Sequence, residues 1–192
     1  MRRNERRTLP VSELRVQKRE DGGSTIRGYA AVFNTFSEEM WGFREKIAPG
    51  AFAGVLSDDV RCLFNHDSDH VLGRTAAGTL RLSEDDRGLH MECDLPDTQL
   101  ARDLAVSIER GDITGQSFSF ITDTDEWHME DGVQVRTIVK VAGLFDVGPV
   151  TFPAYPDTDV SARSEQFIPR PPEAAAPDHS VLRARLALAE VE

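Results

Sequence analysis

The alternation of apolar and polar residues predicts a chain that is built mainly of β-strands. Ser24–Phe33 and Val60–Asn65 are rich in β-branched and aromatic residues and are bounded by turn-forming residues, as is typical of strands. Gly88–Leu95 alternates apolar and polar residues with a period of two, which predicts a strand that is buried on one face. Because the polar turn Glu84–Arg87 separates this segment from Leu80–Ser83, the two segments together predict a β-hairpin.

A second hairpin is predicted further along the chain. Trp127–Met129 and Val133–Val141 are joined by Glu130-Asp131-Gly132, in which the Asp-Gly pair favours a tight turn. Ser117–Thr122 and Leu144–Thr151 complete a set of at least six strands. Strands in this number, joined by short polar turns, predict a β-barrel or a β-sandwich.

Two helices are predicted between the strands. Pro49–Ser57 is short and begins with a proline, which helices tolerate at their first position. Asp97–Arg110 places apolar residues at helical spacing, with the aspartate or Thr98 as the N-cap and a glycine directly after its end. We expect the apolar face of this second helix to pack on a sheet, and its end to lead directly into Gly115–Phe120.

The two ends of the chain differ in composition from its middle. Residues 1–10 are charged and lack an apolar pattern, so they are expected to form a mobile basic arm. Residues 11–160 are expected to form one domain, followed by a linker rich in Pro and Ala over residues 161–180. Residues 181–192 have the pattern of one amphipathic helix, which at that length needs a partner to be stable.

The charge balance argues against several classes of partner. The 192-residue chain has 33 Asp and Glu against 22 Lys and Arg, a formal net charge of −11. Charge of this sign repels phosphate backbones and anionic lipids, so neither nucleic acid nor membrane is an expected partner. No apolar run approaches the roughly 20 residues that a membrane-spanning helix needs. Cys62 and Cys93 form neither a disulfide framework nor a metal-binding pair and are expected to pack as small apolar residues.

Three side chains are candidates for catalysis. His66 follows a predicted strand, where an imidazole that titrates near neutral pH could act as a general base; the alternative is an ordinary surface histidine. Ser117 lies near the start of a strand and could project its hydroxyl from a rigid element, or could simply belong to the polar face of that strand. Asp146 interrupts an apolar stretch, so it must be exposed at an edge or paired, and an imidazole partner would have its tautomer fixed by the pairing.

A metal site is an alternative use of the same histidine. Residues 66–70 contain His66, His70 and two aspartates. Two histidines four positions apart chelate a metal well only on a helix, whereas the surrounding Asn, Asp, Ser and Gly residues favour a loop. A metal-dependent hydrolase that uses His66 and His70 is therefore the less favoured interpretation, and neither a metal nor another cofactor is expected.

Six further segments are informative as a set, because of the order in which they occur along the chain. They are Gly28–Asn34, Ile47–Phe52, Leu63–Asp67 with the following Leu72–Arg74, Asp94–Thr98, Arg110–Phe120 and Asp146–Tyr155. Over roughly residues 12–160 the chain thereby resembles the prohead (capsid maturation) proteases of tailed bacteriophages and phage-like particles. That family is similar in fold to the herpesvirus assemblins. The resemblance implies a mostly β fold with some α-helix, in which a closed antiparallel β-barrel is flanked by helices.

The resemblance also implies a serine endopeptidase that uses no cofactor. It assigns the nucleophile to Ser117 and the general base to His66. Asp146 stands where phage relatives tend to show an acid, whereas assemblins use a second histidine, so Asp146 is the expected orienting residue. Gly148 is a candidate donor to the oxyanion, because the next residue, Pro149, has no N–H.

The substrates and the place of action are likewise implied by the resemblance. The substrates are the scaffolding segment of the major capsid protein and the protease itself, which are cleaved inside the immature procapsid in the host cytoplasm. A homodimer is expected by analogy with the assemblins. The alternative is a non-catalytic capsid assembly or scaffolding protein of the same fold.

Overall fold

The structure is a computed structural model that describes residues 4–152 apart from 10–12 and 40–41. All of the described residues belong to the unit formed by Met1–Pro156. The strands are, in chain order, β1 (Glu5–Leu9), β2 (Arg15–Lys18), β3 (Ser24–Val32), β4 (Phe43–Ile47), β5 (Arg61–Leu63), β6 (Val71–Arg74), β7 (Leu80–Glu84), β8 (Gly88–Asp94), β9 (Gly115–Glu130) and β10 (Val133–Val150). The helical elements are α1 (Gln99–Glu109) and a 3-10 turn at Thr75–Ala77. The predicted linker over residues 161–180 and the predicted helix over residues 181–192 lie outside the described residues.

The described strands form two open sheets. The larger sheet has the order β1-β9-β10-β5-β6, with β4 also paired to β10, and the smaller sheet has the order β2-β3-β8-β7. β9 and β10 form a long antiparallel hairpin, while β4 and β5 each pair with β10 in parallel. Neither of these sheets closes on itself in the described residues, so the expectation of a closed antiparallel barrel is not supported. Apolar alternation shows which face of a strand is buried, but it does not show which strands pair at the sheet edges.

The two predicted hairpins are both present. β7 and β8 pair antiparallel from Leu80 with Cys93 to Glu84 with Leu89, as the sequence pattern predicts. β9 and β10 turn at Asp131 and Gly132, which both have positive φ angles, again as predicted. These two strands are much longer than the predicted segments, because β9 continues without a break through an exposed half that carries no apolar alternation.

One apolar core includes residues from both sheets and from α1. Ile26 of β3 and Met91 of β8 belong to the same cluster of buried side chains as Phe118 and Phe120 of β9. Phe118 stacks on Phe120 with 4.9 Å between ring centroids and meets Phe52 edge-on at 5.6 Å. Fully burying a side chain of this size stabilises the fold by about 1.5–3 kcal/mol. The core face of β9 is therefore held firmly in place.

The helix predicted over Asp97–Arg110 is confirmed as α1. Thr98 is its N-cap, and the Oγ1 of Thr98 accepts a hydrogen bond from the N–H of Ala101 at 3.3 Å. The buried face of the helix consists of Ala101, Leu104, Ala105 and Ile108. No helix among the described residues is long and apolar enough to cross a bilayer.

The second predicted helix, Pro49–Ser57, is wrong. This segment forms consecutive turns, with hydrogen bonds from Ala53 N–H to the Gly50 carbonyl at 3.2 Å and from Val55 N–H to the Phe52 carbonyl at 2.9 Å. Gly50 has a φ of +84°, which is incompatible with a right-handed helix that includes this residue. The apolar residues that suggested a helix are instead buried by the turns.

The expectation of a mobile basic arm does not hold for residues 5–9, because they form β1. This strand pairs antiparallel with β9, from Glu5 opposite Phe120 to Leu9 opposite Gln116. Two charged side chains of β1 are paired in the fold: Arg7 binds Glu45, and Glu5 binds Arg136. Prediction from the spacing of apolar residues misses a strand whose inward-pointing side chains are held by ion pairs.

Candidate active site

The fold brings together the three side chains that the sequence analysis singled out. The Nε2 of His66 lies 2.5 Å from the Oγ of Ser117, although the two residues are 51 positions apart. On the other side of the imidazole, the Nδ1 of His66 forms a short hydrogen bond with the Oδ1 of Asp146. The side chains of His66 and Asp146 are 11% and 10% exposed. A hydroxyl, an imidazole and a carboxylate thus form one continuous hydrogen-bonded chain.

Ser117 and Asp146 are positioned by neighbouring strands. Asp146 of β10 lies opposite Ser119 of β9, and Gly148 lies opposite Ser117. Because side chains alternate between the two faces of a strand, Ser117 and Ser119 point away from the core-facing Phe118. The pairing register of β10 shifts between Leu144 and Asp146, which places the carboxylate on the serine face.

His66 is presented by a left-handed turn after β5. Asn65 and His66 have φ angles of +56° and +57°. Such a conformation costs a non-glycine residue on the order of 1 kcal/mol and persists only where the surroundings enforce it. Asparagine adopts it more readily than most residues, which suits the residue that precedes the histidine.

Asn65 is the residue that holds this turn against β10. Its Oδ1 accepts a hydrogen bond from the N–H of Thr151 at 2.8 Å, and its Nδ2 donates to the Oγ1 of Thr151 at 3.2 Å. The N–H of Asn65 also donates to the carbonyl of Pro149 at 3.0 Å. These bonds connect the His66 turn to the strand that carries Asp146. This role was not predicted, since an exposed asparagine at the end of a predicted strand carries no signal of its partner.

The neighbouring aspartate and histidine do not join the site. Asp67 accepts a hydrogen bond from the N–H of Asp69 at 2.9 Å and pairs with the Nδ1 of His70 at 3.2 Å. His66 uses both ring nitrogens on Ser117 and Asp146, so its contacts do not support the alternative of a metal site shared with His70. Within the described parts of the chain, no group of three or more His, Cys, Asp or Glu side chains is arranged to hold a metal.

Gly148 allows β10 to approach β5 closely. A Cβ at this position would lie 2.0 Å from the carbonyl oxygen of Leu63 and 3.0 Å from its carbonyl carbon. Real Cβ atoms do not make contacts of this length, so a larger residue would force the two strands apart. Leu63 is followed two residues later by Asn65, and the spacing at Gly148 therefore also sets the distance between the His66 turn and Ser117.

β1 covers the hydroxyl of Ser117, which leaves this residue only 1% exposed. The Oγ of Ser117 donates to the carbonyl oxygen of Arg7 at 2.9 Å, and the Oγ1 of Thr8 donates to the Oγ of Ser117 at 3.2 Å. Sequence reasoning missed these contacts, because they depend on a strand pairing between residues more than a hundred positions apart.

The charged residues Glu5, Arg7, Glu45, Asp125 and Arg136 form a group that we call the charge cluster. It lies on the opposite face of the sheet from the Ser117 side chain, because Arg7 and Glu5 pair with Phe118 and Phe120 of β9. Arg7 binds Glu45 through two hydrogen bonds of 2.5 and 2.8 Å. Arg136 binds Glu45 at 2.9 Å, Glu5 at 2.6 Å and Asp125 at 2.6 Å. Glu45, at 3% exposed, is the most deeply buried acid of the cluster. Buried charges of this kind are tolerated only when they are paired and hydrogen-bonded, as these are.

The pKa shifts of Glu5 and Arg7 both favour the charged forms of these two side chains. Burial alone would raise the pKa of Glu5, but the hydrogen bond from Arg136 and the charge of Arg7 lower it to about 2. Burial alone would lower the pKa of Arg7, but the charge of Glu45 and its hydrogen bonds raise it above its ordinary value. Arg136 and Arg7 therefore favour the charged form of Glu5, and Glu45 favours the charged form of Arg7.

The two cysteines are not competing nucleophiles. Cys62 and Cys93 are both 0% exposed, which confirms the prediction that they pack as small apolar residues. A hydrogen bond with Cys93, together with burial, raises the pKa of the Cys62 thiol well above its ordinary value. The reactive form of a cysteine is the thiolate, which both the burial and the raised pKa of Cys62 disfavour.

Comparison with known proteins shows the family to which the chain belongs. The family model for caudovirus prohead serine proteases matches residues 12–170. Among solved structures, the capsid assembly protease of bacteriophage T4 is similar with a TM-score of 0.45 and 11% sequence identity, over 76% of this chain and 98% of that one. No curated protein matches the chain significantly. Since the family match extends over most of the sequence, the chain belongs to the caudovirus prohead serine protease family.

Proposed function

We propose that this protein is a serine endopeptidase in which Ser117 is the nucleophile, His66 the general base and Asp146 the residue that orients the base. The observation that carries the proposal is the 2.5 Å contact between the Oγ of Ser117 and the Nε2 of His66. The carboxylate of Asp146 on the other ring nitrogen supports it. An acid in that position fixes the imidazole tautomer that can accept the hydroxyl proton, and it stabilises the imidazolium that results.

The reaction is acyl transfer in two steps. The Nε2 of His66 takes the proton of Ser117 while the serine oxygen forms a bond to the scissile carbonyl carbon. His66 then gives this proton to the leaving amine as the C–N bond breaks, which leaves an ester on Ser117. In the second step, His66 takes a proton from water, the resulting hydroxide attacks the ester, and the proton returns to Ser117 as the acid product leaves.

The negative charge on the carbonyl oxygen needs a hydrogen-bond donor. We assign this role to the N–H of Gly148, with the position of Gly148 opposite Ser117 in the β9–β10 register as support. Pro149 has no N–H to offer. A donor of this kind typically lowers the barrier by about 3 kcal/mol.

Family membership supports the choice of substrate. The proposed substrates are the scaffolding segment of the major capsid protein and the protease itself, cleaved inside the procapsid before it matures. The proposed active form is a homodimer, which sedimentation velocity tests as a doubling of the 21.3 kDa monomer mass.

Co-expression with the major capsid protein tests the proposed reaction, with Ser117→Ala compared against Ser119→Ala as the matched control. Ser119 lies on the same face of β9 and is equally buried, but its hydroxyl bonds to Asn4 rather than to His66. We expect Ser117→Ala to abolish cleavage while shells of full-length capsid protein still assemble, and Ser119→Ala to cleave. Continued processing by Ser117→Ala would refute the assignment. Shell assembly that requires this chain but shows no cleavage with the unaltered protein would indicate the scaffolding alternative.

A chelator distinguishes the metal-dependent alternative. A hydrolase built on His66 and His70 would lose activity in EDTA and regain it with added zinc, whereas the proposed serine mechanism uses no metal. We expect the same extent of capsid processing with and without EDTA.

A further inference from the structure

β1 lies along the edge of β9 at the point where a substrate would have to bind. It pairs antiparallel with β9 at the end of the larger sheet, and the carbonyl of Arg7 accepts the hydroxyl of Ser117 at 2.9 Å. A serine hydroxyl has one proton, so it donates either to this carbonyl or to His66, but not to both. An extended peptide that adds a strand to an open sheet edge is a common mode of peptide recognition. β1 therefore shows how a main chain fits beside the nucleophile.

The side chain of Arg7 is surrounded by groups that favour a cation. Its guanidinium forms two hydrogen bonds with the carboxylate of Glu45, which is 3% exposed, and lies 5.7 Å from the ring centroid of Phe120. A buried carboxylate and an aromatic face together favour a guanidinium or ammonium group over a neutral side chain.

The charge cluster also binds the side chain two residues before Arg7. Glu5 lies on the same face of β1 as Arg7 and binds Arg136 through contacts of 2.6 and 3.2 Å. Arg136 is itself bound to Glu45, so the two positions share one network. Residue 6, between them, points to the other face and is exposed. Glu45 and Arg136 thus bind a basic and an acidic side chain of β1 that are separated by one residue.

We propose that the substrate binds as an added strand on the edge of β9 that β1 occupies in this structure, and that Glu45 and Arg136 then select a basic residue on the acyl side of the scissile bond, with an acidic residue two positions before it. This inference rests on the proposed function and adds the substrate sequence class to it. Glu45 and Arg136 are the specificity residues, and Arg7 marks the position of the basic substrate residue.

Peptide cleavage by the full chain tests the inference. An internally quenched peptide with the sequence of residues 4–9, Asn-Glu-Arg-Arg-Thr-Leu, is compared with peptides in which alanine replaces the residue that corresponds to Arg7 or to Glu5. We expect cleavage after the arginine that corresponds to Arg7, located by mass spectrometry. Alanine at that position should lower kcat/KM about 10-fold or more, and alanine at the acidic position about threefold, mainly through KM, since an ion pair with a buried partner is lost.

A substitution in the enzyme tests the same ion pair by removing the charge of its acidic partner. Glu45→Gln removes the charge that binds the basic residue and should bring the arginine-to-alanine preference close to one. Glu130→Gln is the matched control, because Glu130 pairs with Lys46 at the surface, away from β1, and should leave the preference unchanged. The peptide series with the unaltered chain decides the question even if Glu45→Gln does not fold.

Each outcome separates this inference from the proposed function. If the chain processes capsid protein but cleaves the three peptides equally, cleaves them at another bond or leaves them intact, the recognition of an acid and a base is wrong and the serine mechanism stands. If neither capsid protein nor any peptide is cleaved, the proposed function fails and this inference fails with it.

Discussion

The two halves of β9 show how one strand can serve two purposes. Residues 115–120 are all buried, whereas residues 126–130 are all exposed. In the buried half, Phe118 and Phe120 face the core and Ser117 faces the His66 turn on the other side, while β1 pairs along the strand edge. The exposed half extends beyond the core and relies on pairing with β10 and on surface ion pairs. The comparison teaches that burial on both faces, rather than strand formation itself, fixes the position of the reactive hydroxyl.

The largest difference between the halves is expected when a carboxylate near each half is replaced and kcat is measured. Asp146→Asn next to the buried half keeps the shape of the side chain but permits the wrong tautomer of His66, so kcat should fall by about 10⁴-fold. Glu126→Gln in the exposed half should leave kcat unchanged. Steady-state kinetics on capsid protein or on a cleaved peptide measure both. A loss below tenfold for Asp146→Asn would show that the contact with His66 is not used in the reaction.

Aromatic residues give the next largest contrast. Phe118→Ala removes a side chain that is 1% exposed and should lower the free energy of unfolding by about 3–5 kcal/mol. Trp127 is 39% exposed and packs edge-on against Phe43 at 5.0 Å, so Trp127→Ala should cost about 1 kcal/mol. Urea denaturation followed by circular dichroism compares the two. Equal losses would mean that the outer half is as tightly packed as the inner one.

Glycine substitutions near each half compare how tightly the backbone is constrained there. Gly148→Ala places a Cβ 2.0 Å from the carbonyl of Leu63 and should cost about 1–3 kcal/mol of stability, with a loss of activity as the His66 turn moves away. Gly132, at the hairpin tip, has a φ of +80° and open space around it, so Gly132→Ala should cost about 1 kcal/mol with activity retained. Thermal unfolding and peptide cleavage on the same samples separate the effects. Full activity in Gly148→Ala would contradict the proposed spacing.

A pH dependence of stability is expected at the boundary between the halves, where the charge cluster lies. The pKa of Glu5 is lowered to about 2 in the fold and returns towards its ordinary value near 4.5 on unfolding. Its contribution, at most about 3 kcal/mol, is therefore fully present above about pH 5 and is lost as the pH falls towards 2. Glu5→Gln should reduce the slope of unfolding free energy against pH in that window. An unchanged slope would show that Glu5 is not held by Arg136 in solution.

Much of the site could be predicted from the sequence, but for reasons other than periodicity. The resemblance to prohead proteases points to His66, Ser117 and Asp146, and in the fold His66 contacts the other two. Local patterns alone left each as an ordinary polar residue. Asn65 escaped prediction because its left-handed φ and its bonds to Thr151 arise only when β5 and β10 come together.

The fold was predictable where burial on one face produces a regular pattern. β8 and α1 follow such patterns and were predicted with small errors at their ends. β1 was not predicted, since ion pairs to Glu45 and Arg136 replace apolar contacts there. The open sheets were not predicted either, because the parallel pairing of β4 and β5 with β10 joins segments that are far apart in sequence.

The irregular register of β10 limits how the length of this strand can change. The strand pairs with β4 over residues 134–138 and with β5 at Asp146 and Val147, and its offsets against β9 lie between these two stretches. Insertion or deletion of a single residue between them would turn every later side chain to the opposite face, so that the carboxylate would enter the apolar interior. Length variation among natural relatives should therefore be concentrated at the hairpin tip around Gly132, while the segment that leads to Asp146 keeps a constant number of residues.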